Sequence, residues 1–159
     1  MTSRFGLAHW LAFLLPAALL AGAYGSQYFG GLYPCEMCWW QRYPHFEAVV
    51  IAFVAFFISN PPYRHALVAL AALGILSSGL IGGFHAGVEY GWWEGLTKCT
   101  SSVSGSGEDL LKSIMNAPLI RCDVAPWTLF GISLAGYNFL LSVGGAIAIL
   151  AMIWKSPKI

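Results

Sequence analysis

The chain has 159 residues, of which 58% are hydrophobic and only 9% charged, with a formal net charge of +1. A water-soluble domain carries about a quarter of its residues as Asp, Glu, Lys and Arg, so this is the composition of a membrane protein. Its near-neutral balance offers no basic face for nucleic acid and no acidic one for cationic ligands, and recognition must rest on particular sites.

Spanning a bilayer as a helix takes about 20 apolar residues, and four runs are read as spans, at about 7–27, 43–59, 65–88 and 127–154. They predict an all-α, integral membrane four-helix bundle forming a single domain over 1–159. The first run has Arg4 ahead of it and Ala21, Gly22 and Ala23 near its end, in the manner of a signal peptide. Its length, Trp10 and the direct continuation through Tyr24 and Tyr28 favour a retained span.

Next comes PCEMCWWQR at 34–42, with Cys35, Cys38 and Arg42 leading into the shortest run. Pro44 has no N–H, so the second helix either starts there or kinks. A tight NPPYR connection leads to the third run, where Gly79, Gly83 and Gly87 recur every four residues; Gly131 and Ala135 repeat that spacing in the fourth. Small residues on one helical face let spans approach closely.

The segment from 89 to 126 is the one sizeable polar stretch. Its SSVSGSG run is expected to be mobile. Ser106 and Asp109 then take the form of a capping box before Leu110, Leu111, Ile114 and Met115, predicting a short amphipathic helix on the membrane surface or against its own loop.

With four spans, parity puts Cys35, Cys38, Cys99 and Cys122 on one face of the membrane. The short segments on the other face hold Arg4, Arg64, Lys155 and Lys158 and no acidic residue, which reads as cytoplasmic. The cysteines then face outward, where disulfides persist.

A metal site is weakly indicated, because only Cys35 and Cys38 are closely paired. A structural bridge is the default for Cys99 and Cys122. A C-x-x-C bridge closes too small a loop to stabilise much, and such pairs are commonly redox-active when a helix N-terminus or a cation favours the thiolate. Cys38 begins a helix and Arg42 follows one turn later, although a snorkelling arginine is the plain alternative. No haem-attachment, dinucleotide or iron–sulfur motif is present, which leaves a lipid-soluble quinone as the electron acceptor. Trp39, Trp40, Trp92 and Trp93 either line its site or form an aromatic belt, the belt being the commoner role. His85 is an ionisable group inside an apolar span, so either functional or structurally hydrogen-bonded.

Taken together, PCEMCWWQRYPH, FHAGVEYGWW, the lone Cys99 and RCDVAPWTLFGISLAGYNF resemble the disulfide bond formation protein B (DsbB) family over nearly the whole chain. The resemblance implies a thiol:quinone oxidoreductase of the bacterial inner membrane, with periplasmic cysteine loops and both termini cytoplasmic. It reoxidises a DsbA-like thioredoxin-fold partner, with ubiquinone or menaquinone as cofactor. By the same resemblance Cys35 and Cys38 are the quinone-coupled pair, Cys99 and Cys122 the pair that exchanges with the partner, and Arg42 and His85 belong to the quinone site. Two other readings remain: a paralogue serving a dedicated partner, and a membrane scaffold with structural disulfides. The late C-x-x-C of vitamin K epoxide reductase-type enzymes argues against that family, since here the motif precedes the second span.

Overall fold

A computed structural model of the chain describes residues 4–96 and 120–155. Among the described residues are four helices, α1 (Arg4–Tyr28), α2 (Glu36–Ala55), α3 (Pro61–Glu89) and α4 (Leu134–Trp154). One antiparallel hairpin, β1 (Thr128–Leu129) with β2 (Ile132–Ser133), precedes α4. Cys99 and the expected amphipathic helix lie outside the described residues. Helices α1, α3 and α4 are long and apolar enough to cross a membrane. α2 has 20 residues but carries Glu36, Arg42 and Glu47, making it the most polar of the four. The architecture fits the all-α membrane class.

Two helix starts depart from the apolar runs. α2 begins at Glu36 because Cys35 caps it: the Cys35 sulfur accepts from the backbone N–H of Cys38 at 3.2 Å, serving one of the orphan donors of the first turn. Pro44 therefore lies inside the helix, and the Trp40 carbonyl loses its usual donor. The α4 run begins with irregular chain and the hairpin. Phe130 (φ 51°) and Gly131 (φ 78°) both take left-handed conformations, as a two-residue type I′ turn requires. Ser133 then caps α4, its hydroxyl accepting from Gly136 N–H at 3.1 Å. Gly131 thus sits in a turn and forms no helical stripe with Ala135, which corrects the expectation from spacing.

Helices α1 and α3 each pack against both α2 and α4, closing a four-membered bundle. One end is filled by small side chains, with Ala8, Ala12, Ala48, Ala52, Ala71, Ala72 and Ala146 fully buried around Val68, Ile75 and Ile149. Close backbone approach explains that composition, since packing and not water exclusion holds helices together in lipid. The α3 glycines divide their roles. A Cβ at Gly79 would come within 2.9 Å of Ser142 and Val143 on α4, and one at Gly83 within 2.7 Å of Phe139. Gly87 instead receives the ring of Trp93 from the segment just after α3.

Replacement of Gly79 by alanine should lower the thermal midpoint in detergent, by an overpacking cost of about 1–3 kcal/mol. Gly144→Ala, where nothing lies within 4 Å of the added methyl, should leave it unchanged. Equal midpoints for the two variants would show that Gly79 is not a packing contact.

Candidate functional site

At the bundle end opposite the alanines, Cys35, Met37, Val88 and Cys122 form a second buried cluster, with Cys38, Trp40, Phe84 and Ile120 against it. Cys35 and Cys38 are free thiols with their sulfurs 2.7 Å apart. A disulfide needs them to close to about 2.05 Å. Cys122 is disulfide-bonded, and its sulfur, that of Cys35 and a ring nitrogen of His85 all lie within 4.8 Å of one another. Because the Cys122 sulfur is spent in a disulfide, this trio offers two thiolate-type or imidazole ligands and not three. Its geometry suits sulfur exchange. The hydrogen bond to Cys38, and then burial, push the Cys35 thiol up from its ordinary range, so the proton of the pair stays on Cys35.

Arg42 lies one turn beyond Cys38 and is buried, not snorkelling. It donates to Gln27 Oε1 at 2.7 Å and to the Ala23 carbonyl at 3.2 Å, both on α1. Its guanidinium also lies over the rings of Tyr24 and Trp39, at 4.7 and 5.0 Å from their centres. These contacts fix a positive charge inside the bundle.

His85 faces the cysteines from α3, its Nε2 3.6 Å from the Cys35 sulfur. Its tautomer is set by a network that composition did not reveal. Gln41 Nε2 donates to the Met37 carbonyl at 3.1 Å, which fixes that atom as nitrogen, and also lies 2.8 Å from His85 Nδ1. Asn138 Nδ2 is fixed in the same way by the Ser78 carbonyl at 3.2 Å, and donates to Gln41 Oε1 at 2.9 Å. His85 Nδ1 must then accept, so neutral His85 carries its proton on Nε2, pointing at Cys35. Asn138 Oδ1 takes a proton donor from Ser142 at 2.8 Å and from His45 Nε2 at 2.9 Å. Gly82 makes room for this junction, since a Cβ there would lie 3.0 Å from Asn138 Nδ2 and 3.1 Å from Gln41 Oε1.

Two cavities flank the thiol pair. An inner one of about 250 Å³ is lined by apolar residues of α1 and by Cys38, Arg42, His85 and Asn138. An outer one of about 260 Å³ is lined by Cys35, Cys38, His85 and Arg121. Glu89, one turn after His85, lines both. None of Trp39, Trp40, Trp92 and Trp93 lines the inner cavity. Trp39 covers Arg42, and Trp93 donates to the Phe84 carbonyl at 2.9 Å while stacking on Phe84.

The structure thus brings Cys35, Cys38, Cys122 and His85 together and sets Arg42 on the inner wall, while Cys99 lies outside the described residues. Sequence reasoning passed over Gln41, His45, Glu89 and Asn138. Each is a polar group in or beside an apolar run, and the membrane cost of such groups is the signal that singles them out.

Asn138→Ala would strip partners from Gln41 Oε1 and His45 Nε2 together. A loss of about 1–3 kcal/mol is expected for a buried polar group left unsatisfied, measured as a lower thermal midpoint in detergent; an unchanged midpoint would show that the amides find other partners.

The chain is similar to known proteins over most of its length. Residues 5–152 match the family described as disulfide bond formation protein DsbB. The chain is 31% identical to disulfide bond formation protein B of Polaromonas sp., over 93% of this chain and 90% of the relative. It is 30% identical to the protein of the same name from Methylococcus capsulatus, over 93% of each. An uncharacterised protein of Rickettsia prowazekii is 24% identical over 98% of this chain and 91% of its own length. No solved structure matches the chain.

Proposed function

The chain belongs to the DsbB family, and from that premise we propose that it is a thiol:quinone oxidoreductase, reoxidising a DsbA-like periplasmic dithiol oxidase and delivering the electrons to a membrane quinone. One observation carries the reading. The Cys35–Cys38 pair stands between a disulfide-bonded Cys122 within sulfur–sulfur reach and an inner cavity walled by Cys38 and Arg42. α2 then serves as the remaining span, with the cysteine segments periplasmic, both termini cytoplasmic and the whole in the inner membrane.

The inner cavity fits a quinone head group: apolar α1 side chains form one wall and a buried cation the other. When bound there, ubiquinone or menaquinone accepts two electrons and two protons. Arg42 would hold its carbonyl oxygen and favour negative charge beside the Cys38 sulfur.

Exchange precedes that step. A thiolate of the reduced partner attacks the loop bridge at Cys99, releasing Cys122 as a thiolate. Cys122 then attacks Cys35 of the Cys35–Cys38 disulfide, and the Cys38 thiolate leaves. The partner's second thiolate attacks its mixed disulfide and frees Cys99, which in turn attacks Cys122, restoring the loop bridge and releasing Cys35, so that the partner departs oxidised and Cys35 and Cys38 are left reduced. Each attack breaks one S–S bond and forms another, so rate follows thiolate fraction and access. His85 Nε2–H, which faces both the Cys122 backbone carbonyl and the Cys35 sulfur, steadies negative charge on that sulfur.

Purified protein in detergent, given a reduced DsbA-like protein and a soluble ubiquinone analogue, should reduce the quinone, and Cys38→Ser and Cys99→Ser should each abolish turnover. Arg42→Ala should slow quinone reduction by on the order of 10-fold or more while sparing mixed-disulfide formation with the partner. Equal losses in both steps would remove Arg42 from the quinone site, and a native chain inert toward ubiquinone, menaquinone and several partners would favour a scaffold.

A further inference from the structure

The thiol-to-quinone step moves protons as well as electrons, and His85, whose Nε2 faces the Cys35 sulfur, is not built to receive one. Its Nδ1 lone pair is occupied by the Gln41 amide and its Nε2 already bears hydrogen. Another group must take the proton that Cys35 gives up.

Glu89 is that group by position. Its side chain is 2% exposed and its Oε1 lies 3.8 Å from the same His85 Nε2 that approaches the Cys35 sulfur. Its Oε2 is buried and has no hydrogen-bond partner among the described residues, while Ser133 faces the carboxylate. A buried, incompletely paired carboxylate is costly, and taking up a proton removes that cost. The carboxylate also acts electrostatically on both Cys35 and Cys38.

The other groups around it do not serve. Tyr33 and Arg121 share the outer cavity and Arg42 and Tyr137 the inner one, but each is a proton donor in its ordinary state. His45 Nδ1 has no partner among the described residues, yet His45 lines the inner cavity alone and not the one that holds Cys35. Glu89 is an acceptor bordering both.

We infer that Glu89 is the proton carrier of the reaction, taking the Cys35 proton across the outer cavity and releasing it into the inner one. This rests on the functional reading above. In balance, two thiols become one disulfide and lose two electrons and two protons. One proton leaves to water when Cys38 ionises. The Cys35 S–H bond breaks as its sulfur bonds to that of Cys38, a Glu89 O–H bond forms, and the electron pair passes to the quinone. The Glu89 proton then goes to a quinone oxygen, and water returns the other. The outer cavity, about 260 Å³ and with Tyr33, His85, Arg121 and Glu89 among its lining residues, has room for a water to relay the proton from Cys35 to Glu89.

The test compares the full-length native chain with Glu89→Gln and Glu89→Asp in detergent, reduced by dithiothreitol and supplied with a soluble ubiquinone analogue from pH 6 to pH 9. Exchange with a reduced DsbA-like protein is followed in parallel by trapping the mixed disulfide. Glu89→Gln should reduce quinone at least 10-fold more slowly at pH 6, with a defect that narrows toward pH 9 as hydroxide takes the thiol proton through the outer cavity. Its KM for quinone and its mixed-disulfide formation should stay native, and Glu89→Asp should recover most of the rate. A Glu89→Gln rate within twofold of native at every pH overturns the inference, as does a loss that is constant with pH and not recovered by Asp. A native chain that reduces no quinone overturns the functional reading, and this inference with it.

Discussion

Buried polar groups in an apolar bundle have only one another for partners, and that requirement organises this protein. The amides of Gln41 and Asn138, each oriented by a backbone carbonyl, tie α2, α3 and α4 together at one level. Without water to stand in, a single amide turned the wrong way would set donor against donor. The chemistry at the thiols inherits its direction from this knot: because the Met37 carbonyl decides which Gln41 atom is nitrogen, it also decides which edge of His85 bears hydrogen. The thiol site at the bundle end is therefore specified from its interior.

The two ends of the bundle meet different demands. Alanines let the helices approach where nothing but packing is needed, and His9 is accommodated there by the Ala52 carbonyl at 2.9 Å and by stacking on Phe56. At the cysteine end the helices separate enough for two cavities. Pro44 lies between these regimes, and Gly74 of α3 fits against it, a Cβ there coming 3.2 Å from the Pro44 carbonyl oxygen. The kink-prone point of α2 is thus braced by its neighbour.

Much of this was legible in the residues. Hydrophobic length marked the bundle, and Cys-x-x-Cys with Arg42 one turn on marked the candidate site, because both signals are local. The start of α2 was not, since a cysteine acting as cap looks like a cysteine acting as a nucleophile, and Cys35 occupies the cap position of the Cys-x-x-Cys motif. The Gly131–Ala135 spacing misled because a period of four says nothing about whether the chain between is helical; the left-handed Phe130 and Gly131 decided it. The amide network was illegible for a deeper reason. Gln41 and Asn138 are 97 residues apart, and no local pattern announces that two polar side chains on different helices will meet.

The Tyr90 hydroxyl, just past α3, donates to the Gly131 carbonyl at 3.0 Å and accepts from Ser133 N–H at 3.0 Å. It therefore fastens the hairpin ahead of α4 to the end of α3. Cys122 precedes that fastening by nine residues of chain, a tether whose root-mean-square span is about 17 Å even if fully relaxed. With its bridge opened, Cys122 remains at millimolar-order effective concentration beside Cys35. One phenol thus shortens the loop across which Cys122 closes onto the end of α2.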